Sequence, residues 1–332
     1  MRNRIWQKVG LALCALALTG LRPRVPSGSA PASPNRSAAA PATAPDWDVL
    51  DFPTADHDRV DRMIDAYCNR VHDRFEEGLE NANRYEPLIR TAFQAEGLPG
   101  DLVYVAMIES SFRPTARSNA RAQGIWQFMK STGHRFGLKS DKLVDERADP
   151  MKATLAAAKF WKTLYGEYGD WNLAMAAYNS GEGRVSSAIR RTGLDDYWGL
   201  CRQNALPRET CNYVPGVIAA GMIARDPRQY GFDVKPAEAP EFDTVVVDRP
   251  IDLRTLARRS DVDLGQLREL NPELRTTRVP ARKTGYPLVV PTEDREAIES
   301  TLSNHLADGK GGRAGRPAAR ARNRRSADSS DA

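Results

Sequence analysis

At 332 residues and 41% hydrophobic content, the chain has enough material for two or three domains with a sizeable core. Its formal net charge of +5 is concentrated at the two ends. Residues 1–24 hold five basic and no acidic residues, and residues 309–332 hold seven basic against two acidic, which leaves 25–308 at −5 and speaks against a nucleic-acid-binding body.

The chain opens as a secretory signal over 1–21. "MRNRIWQK" is a positive leader, and "VGLALCALALTGL" is an apolar run of 13 residues. That run is short for a transmembrane helix. "GSA" ending at Ala30 supplies small residues for cleavage, but Pro31 follows. Cys14 invites a lipidation reading, yet Leu13 stands where a small residue is wanted, so simple export is favoured over lipidation, with an uncleaved anchor as a further alternative. Export implies an oxidising compartment, the periplasm or cell envelope. Cys201 and Cys211 flank the Pro-containing loop "RQNALPRET" and are disulfide candidates, with three unpaired thiols as the alternative; either way Cys68 is left over.

Residues 22–46 form a Pro/Ala/Ser linker that cannot bury enough surface to fold. A helical region follows over 47–235. "DRVDRMIDAYCNRVHDRFEEGLE" sets Val60, Ile64, Tyr67, Val71 and Phe75 at three- and four-residue steps, an amphipathic helix. "YEPLIRTAFQAEG" reads as a second helix stopping at Gly97, and "DLVYVAMIES" as a third from near Asp101. Pro150 starts another, with Leu155, Ala158, Trp161, Leu164 and Tyr165 on one stripe. "WNLAMAAYNSG" is apolar nearly all round, a buried helix closed by Asn179-Ser180-Gly181. The last helix, in "ETCNYVPGVIAAGMIARDP", is expected to start or break at Pro215. After Pro236 the composition changes: 242–294 reads strand, two short helices, strand, a small separate α+β module. Residues 309–332 read as a disordered, solvated basic tail.

Glu109 stands out. It follows an apolar run in the last turn of its predicted helix, where the helix dipole and desolvation both oppose ionisation. A carboxyl held protonated in an apolar wall is a general acid; the alternative is a solvent-facing glutamate at a helix end. "GIWQFM" places Trp126 and Phe128 around Gln127, for stacking on and pairing with a sugar, or else as core with one satisfied amide. "AAYNSG" brings Tyr178 and Asn179 to a helix end. Asp145, Glu146 and Asp149 cluster with Arg147 as a structural salt-bridge loop. The four histidines are scattered without ligand spacing, and neither metal nor cofactor is suggested.

"IESSF", "GIWQFM", "DERADP", "DWNLAMAAYNSGEGRV" and "LPRETCNYVP" together resemble the lytic murein transglycosylases, most of all the membrane-bound type D branch of the soluble-transglycosylase superfamily. The likeness runs from about 98 to 232, the catalytic core. The module at 242–294 resembles a lysin-motif domain, although Asp248-Arg249-Pro250 stands where such domains carry a Gly-Asp turn. The resemblance implies a mainly α protein: a goose-type-lysozyme-like catalytic domain plus a small βααβ module. It implies non-hydrolytic cleavage of the β-1,4 bond between N-acetylmuramic acid and N-acetylglucosamine in peptidoglycan, with 1,6-anhydromuramoyl products. Glu109 matches the single catalytic acid. By motif position Ser118, Gln127, Tyr178, Asn179 and Tyr213 line the substrate cleft. The family has glycine where this chain has Arg121, which bears on the Ser118 loop. The expected partner is the glycan strand, in the periplasm or envelope; association with membrane or envelope machinery is compatible, and no oligomer is implied. The competing readings are a hydrolytic muramidase and an envelope protein that binds glycan without cutting it.

Overall fold

A computed structural model describes residues 58–235 and 241–311, with side chains of the final helix through 305. The expected signal, the linker, the start of the helical region before 58 and residues 312–332 of the basic tail lie outside the described residues, while 309–311, expected to be disordered, end the last helix. The described residues fall into two compact units. One comprises 58–235 with Asn271–Arg275, the other 241–270 with 276–311. Among the described residues no helix is long and apolar enough to cross a membrane.

The first unit is all helical: α1 (Asp58–Asp65), α2 (His72–Ala95), α3 (Val103–Ser110), α4 (Lys130–Arg135), α5 (Pro150–Tyr168), α6 (Trp171–Ser180), α7 (Glu182–Thr192), α8 (Tyr197–Arg202) and α9 (Thr210–Arg225). The amphipathic run from 58 is not one helix. A π-helical turn, Ala66–Arg70, interrupts it, and Val71 leaves helical backbone at φ −139°. The break that was expected, near Tyr85, is absent: α2 continues through Pro87. Likewise α9 starts at Thr210 and passes through Pro215 without stopping. In both helices tertiary burial outweighs the local preference of proline. Ile89 and Phe93 are fully buried beyond Pro87, as are Val217 and Ile218 beyond Pro215, and each such side chain contributes about 1.5–3 kcal/mol. Helices α7 and α8 have no counterpart in the sequence reading.

α5 and α6 begin and end as the sequence suggests. Asp149 caps α5 by accepting from Lys152 N at 2.9 Å, and Asp170 caps α6 by accepting from Leu173 N at 2.7 Å. Gly169 closes α5 at φ 64°. α3 is the innermost element, with Val103 to Met107 all buried. It packs on α2 and α9, while α9 also covers α1 and α6. α2 approaches α3 closely because Gly78 has no side chain; a Cβ there would lie 2.7 Å from Met107 Sδ.

The second unit is α+β. β1 (Phe242–Val247) pairs antiparallel with β4 (Tyr286–Pro291), in register from Phe242↔Pro291 to Val247↔Tyr286. Between them lie β2 (Ile251–Asp252), α10 (Leu253–Ser260), α11 (Leu264–Leu270) and β3 (Arg278–Val279), with β2 and β3 forming a short second ladder. This contains the expected strand–helix–helix–strand order. The chain then adds α12 (Arg295–Gly311), which packs on α10 and β1 and buries Ile298 and Leu302.

Cys201 and Cys211 form a disulfide with Cα atoms 5.6 Å apart, tying α8 to the first turn of α9. Cys68 is a free thiol. For a closed loop of 10-residue separation, chain-entropy arguments give a stabilisation of about 2–3 kcal/mol. The double variant Cys201→Ser/Cys211→Ser is therefore expected to lose that much in denaturant titration, whereas Cys68→Ser should stay within about 1 kcal/mol of the parent.

Candidate active site

Glu109 is fixed by the way α3 ends. Ser111 and Phe112 both take left-handed backbone, at φ 53° and 55°. They close the helix by donating Ser111 N to Met107 O (2.9 Å) and Phe112 N to Ala106 O (3.4 Å). Such backbone costs about 1–2 kcal/mol per non-glycine residue. The complete burial of Phe112 and the bond from Asn81 Nδ2 to Ser111 O, 3.0 Å, offset it. Next to the carboxylate, Ser110 Oγ donates to Ile125 O at 2.8 Å, which pins the end of α3 to the segment carrying Gln127.

The carboxyl of Glu109 accepts a 2.7 Å hydrogen bond from Tyr213 OH, from α9, across 104 positions of sequence. Burial pushes its pKa up to about 7; the Tyr213 bond pulls the other way, and the charge of Glu209 adds to the rise. Tyr213 and Tyr178 are themselves held well above the usual phenol range, first by burial and then by the nearby Glu109 charge. Glu109, Tyr178 and Tyr213 therefore share one electrostatic neighbourhood.

Tyr178 is held rigidly. Its hydroxyl donates to Trp126 O at 2.7 Å, and its ring stacks on Trp161 with centroids 4.5 Å apart. The next residue, Asn179, has both side-chain amide atoms buried without a hydrogen-bond partner among the described residues. A buried amide left this way costs roughly 1–3 kcal/mol per group.

Gln127 and Ser118 belong to the irregular segment between α3 and α4. Gln127 has left-handed backbone at φ 47°. Its Nε2 donates to Gly124 O (2.8 Å) and Ala116 O (3.1 Å), so its amide nitrogen braces the loop. Ser118 Oγ accepts from Ala122 N at 3.0 Å and is used within its own turn. Arg121 in that turn adopts φ 67°, the conformation that glycine takes without strain. The turn is retained by backbone bonds, Arg121 N to Ser118 O and Ser118 N to Ala122 O.

One sequence reading is corrected here and one is extended. Trp126 and Phe128 are not a sugar-stacking pair: both are core residues, 0% and 2% exposed, and Trp126 Nε1 donates to Thr154 Oγ1 at 3.0 Å. The cluster around Arg147 is indeed an ion-pair loop, but its guanidinium also reaches outward. It pairs with both oxygens of Asp145 and donates to Arg121 O and Phe128 O, each at 2.9 Å. Gly124 lies against this segment so tightly that a Cβ would sit 1.8 Å from Arg147 O.

The sequence reading missed Glu209, whose Oε1 is buried without a hydrogen-bond partner among the described residues. It stands one turn before Tyr213, with Tyr213 N donating to Glu209 O at 2.9 Å. The i, i+4 spacing in "ETCNY" would have shown this had the helix been started before Pro215.

Residues 87–200 match the family described as "Transglycosylase SLT domain", and residues 241–306 match "Lytic transglycosylase MltD, LysM-like domain". The first match holds Glu109, Ser118, Gln127, Tyr178 and Asn179 and stops short of Tyr213. The chain is 30% identical over 266 residues to membrane-bound lytic murein transglycosylase D of Escherichia coli K12, covering 78% of this chain and 58% of that protein. It thus spans little more than half the length of that relative. It is 42% identical over 106 residues to the peptidoglycan transglycosylase gp16 of Escherichia phage T7, covering 31% of this chain and 8% of that protein. The solved 70 kDa soluble lytic transglycosylase of Escherichia coli aligns at 22% identity with a TM-score of 0.38, covering 47% of this chain and 26% of that one.

The raised acid constant of Glu109 has a consequence for folding. Between about 4.5 and about 7 the folded chain holds a proton that the unfolded chain has released. Stability should therefore fall as pH rises through that window and level off above it, by up to about 3 kcal/mol. Glu109→Gln should remove this fall and be more stable than the parent at pH above about 7, as read from urea titrations of both proteins across pH.

Proposed function

Because residues 87–200 are a transglycosylase SLT domain, we propose that this chain is a peptidoglycan lytic transglycosylase that works with one carboxyl group, Glu109. The observation that carries the reading is the Glu109–Tyr213 pair: a carboxyl whose pKa is pushed up to about 7 by burial and aimed by a 2.7 Å bond from a buried phenol. Such a group is both a proton donor near neutrality and, once ionised, a usable base.

Glu109 gives its proton to the glycosidic oxygen between N-acetylmuramic acid and N-acetylglucosamine, and the C1–O bond breaks. The 2-acetamido oxygen of the muramoyl unit stabilises the positive charge left at C1. The carboxylate of Glu109, still accepting from Tyr213, then takes the proton of the 6-hydroxyl as O6 closes on C1. The product is a 1,6-anhydro ring, and Glu109 ends as it began. No water enters and no second carboxylate is consumed, unlike the hydrolytic glycosidases; the tethered hydroxyl supplies a large effective molarity.

The remaining residues fit positioning roles. The Asn179 amide, unpartnered among the described residues, offers its NH2 group and its carbonyl oxygen to a sugar's acetamido or hydroxyl groups. Tyr178 holds the wall beside it. Ser118 and Gln127 line the same cleft by presenting the loop between α3 and α4. The basic and apolar opening of the chain suits export to the compartment where this substrate lies.

Digestion of purified sacculi tests the reading. Muropeptides released by the parent should carry anhydro ends with no added water; products heavier by one water would instead make the chain a muramidase. Glu109→Gln should remove release by a factor of about 10²–10⁴ while sacculus binding persists, whereas activity retained in that variant would overturn the assignment.

The pH profile gives a second check. Release requires protonated Glu109, so kcat/KM should be level at acidic pH and fall as pH rises through about 7. Tyr213→Phe takes away the bond that opposes the rise. Its alkaline limb should move to higher pH, and its rate should drop roughly tenfold as the carboxyl loses its aim.

A further inference from the structure

The sequence suggests a single functional acid, yet a second carboxylate stands behind the first. Glu209 immediately precedes α9 and lies one helical turn before Tyr213. Residues at i and i+4 share a helix face. Tyr213, on that face, points its hydroxyl at Glu109 Oε1, 2.7 Å away. Glu209 caps no backbone group of α9 with its side chain, and its Oε1 is buried with no hydrogen-bond partner among the described residues. A helix-start glutamate normally turns outward to water or back onto the free N–H groups. This one makes no cap bond and, though only half-buried, turns one carboxylate oxygen inward.

We propose that Glu209 is a positioning residue for the reaction: a negative charge set behind the Tyr213–Glu109 pair that keeps the acid carrying its proton until substrate arrives. The proposal rests on the reading of Glu109 as the catalytic acid. The first turn of α9 is well suited to hold such a charge. Its free N–H groups and the positive end of the helix favour an anion there, while burial weakens screening by water and also pushes the Glu209 pKa upward. The disulfide at Cys211 and the bond from Tyr197 OH to Thr210 O, 3.0 Å, hold this turn in place. The other groups facing the pair are Tyr178 from α6 and Tyr67 from the π-helical turn, both raised above the usual phenol range by burial. Arg59 of α1 reaches the outer side of the same helix at Asn212 Oδ1, 3.4 Å. Among the described residues, Glu209 is the carboxylate whose charge adds to the rise at Glu109.

The test is the pH dependence of anhydro-muropeptide release by the full chain acting on purified sacculi, from about pH 4.5 to 9. Glu209→Gln keeps the shape and removes the charge. Its alkaline limb should move to lower pH by roughly half a unit or more, a loss of about threefold or greater on that limb, with the acidic plateau within about threefold of the parent. Glu209→Asp keeps the charge and should keep the limb near its parental position. Should Glu209→Gln fail to fold, Glu209→Ala is read by the same criterion. A uniform loss at every pH with an unmoved limb would make Glu209 merely structural and overturn the proposal, as would equal shifts in the Gln and Asp variants. Wild-type release by Glu109→Gln, measured alongside, would instead sink the reading of Glu109 on which this one rests.

Discussion

The hydrogen bond from Tyr213 to Glu109 is the contact on which the candidate site depends. It joins the last turn of α3 to the first turns of α9 across 104 positions, and both ends are fixed independently of the bond. At one end, buried Val103 to Met107 lock α3, and the two left-handed residues after it set where Glu109 projects. At the other end, the disulfide and the packing of α9 on α1, α3 and α6 set where Tyr213 projects. A bond between two such anchored groups loses little side-chain entropy when it forms. Burial raises the acid constant of the carboxyl and the phenol lowers it. The outcome, near neutrality, is a balance that neither contribution alone would give.

The loop between α3 and α4 follows a different logic. Its shape depends on backbone conformations that most residues resist, at Arg121, Gly124 and Gln127, so something must over-determine it. Arg147 does so. Its guanidinium reaches carbonyls on both sides of the loop while both oxygens of Asp145 satisfy its charge. A buried, planar, five-donor cation suits this work in a way a lysine could not. Arg121 then shows that the loop tolerates a side chain where glycine would be at ease. The position keeps the left-handed φ, and the fastening by Arg147 to its carbonyl outweighs a strain of about 1–2 kcal/mol.

What could be read in advance follows from the range of the forces involved. Helices bounded by local chemistry were legible: Asp149-Pro150 opens α5, and Asp170 and Gly181 bound α6. The unusual carboxyl was legible because desolvation and the helix end are both local to α3. Features decided by distant packing were not. Pro87 and Pro215 sit inside helices because partners far along the chain bury their neighbours. The run from 58 to 80 has helical periodicity throughout, yet breaks at Val71. Trp126 looked like a platform for a sugar, and nothing in "GIWQFM" reveals that Thr154, 28 positions on, accepts its ring N–H inside the core. In the second unit, α12 completes the packing of α10 and β1 through Ile298 and Leu302, beyond the module's expected end at 294.

The positions of the two carboxylates suggest how one site can separate their acid strengths. Glu109 ends a helix, where the peptide dipoles present their negative side and weaken it as an acid; Glu209 begins one, where the same dipoles favour its charge. Burial acts on both in the same direction, but far more fully on Glu109 than on the half-buried Glu209. Opposite helix ends would add to that difference and favour the proton on Glu109, which has Tyr213 as its donor. The same separation arises wherever two like groups are given unlike surroundings.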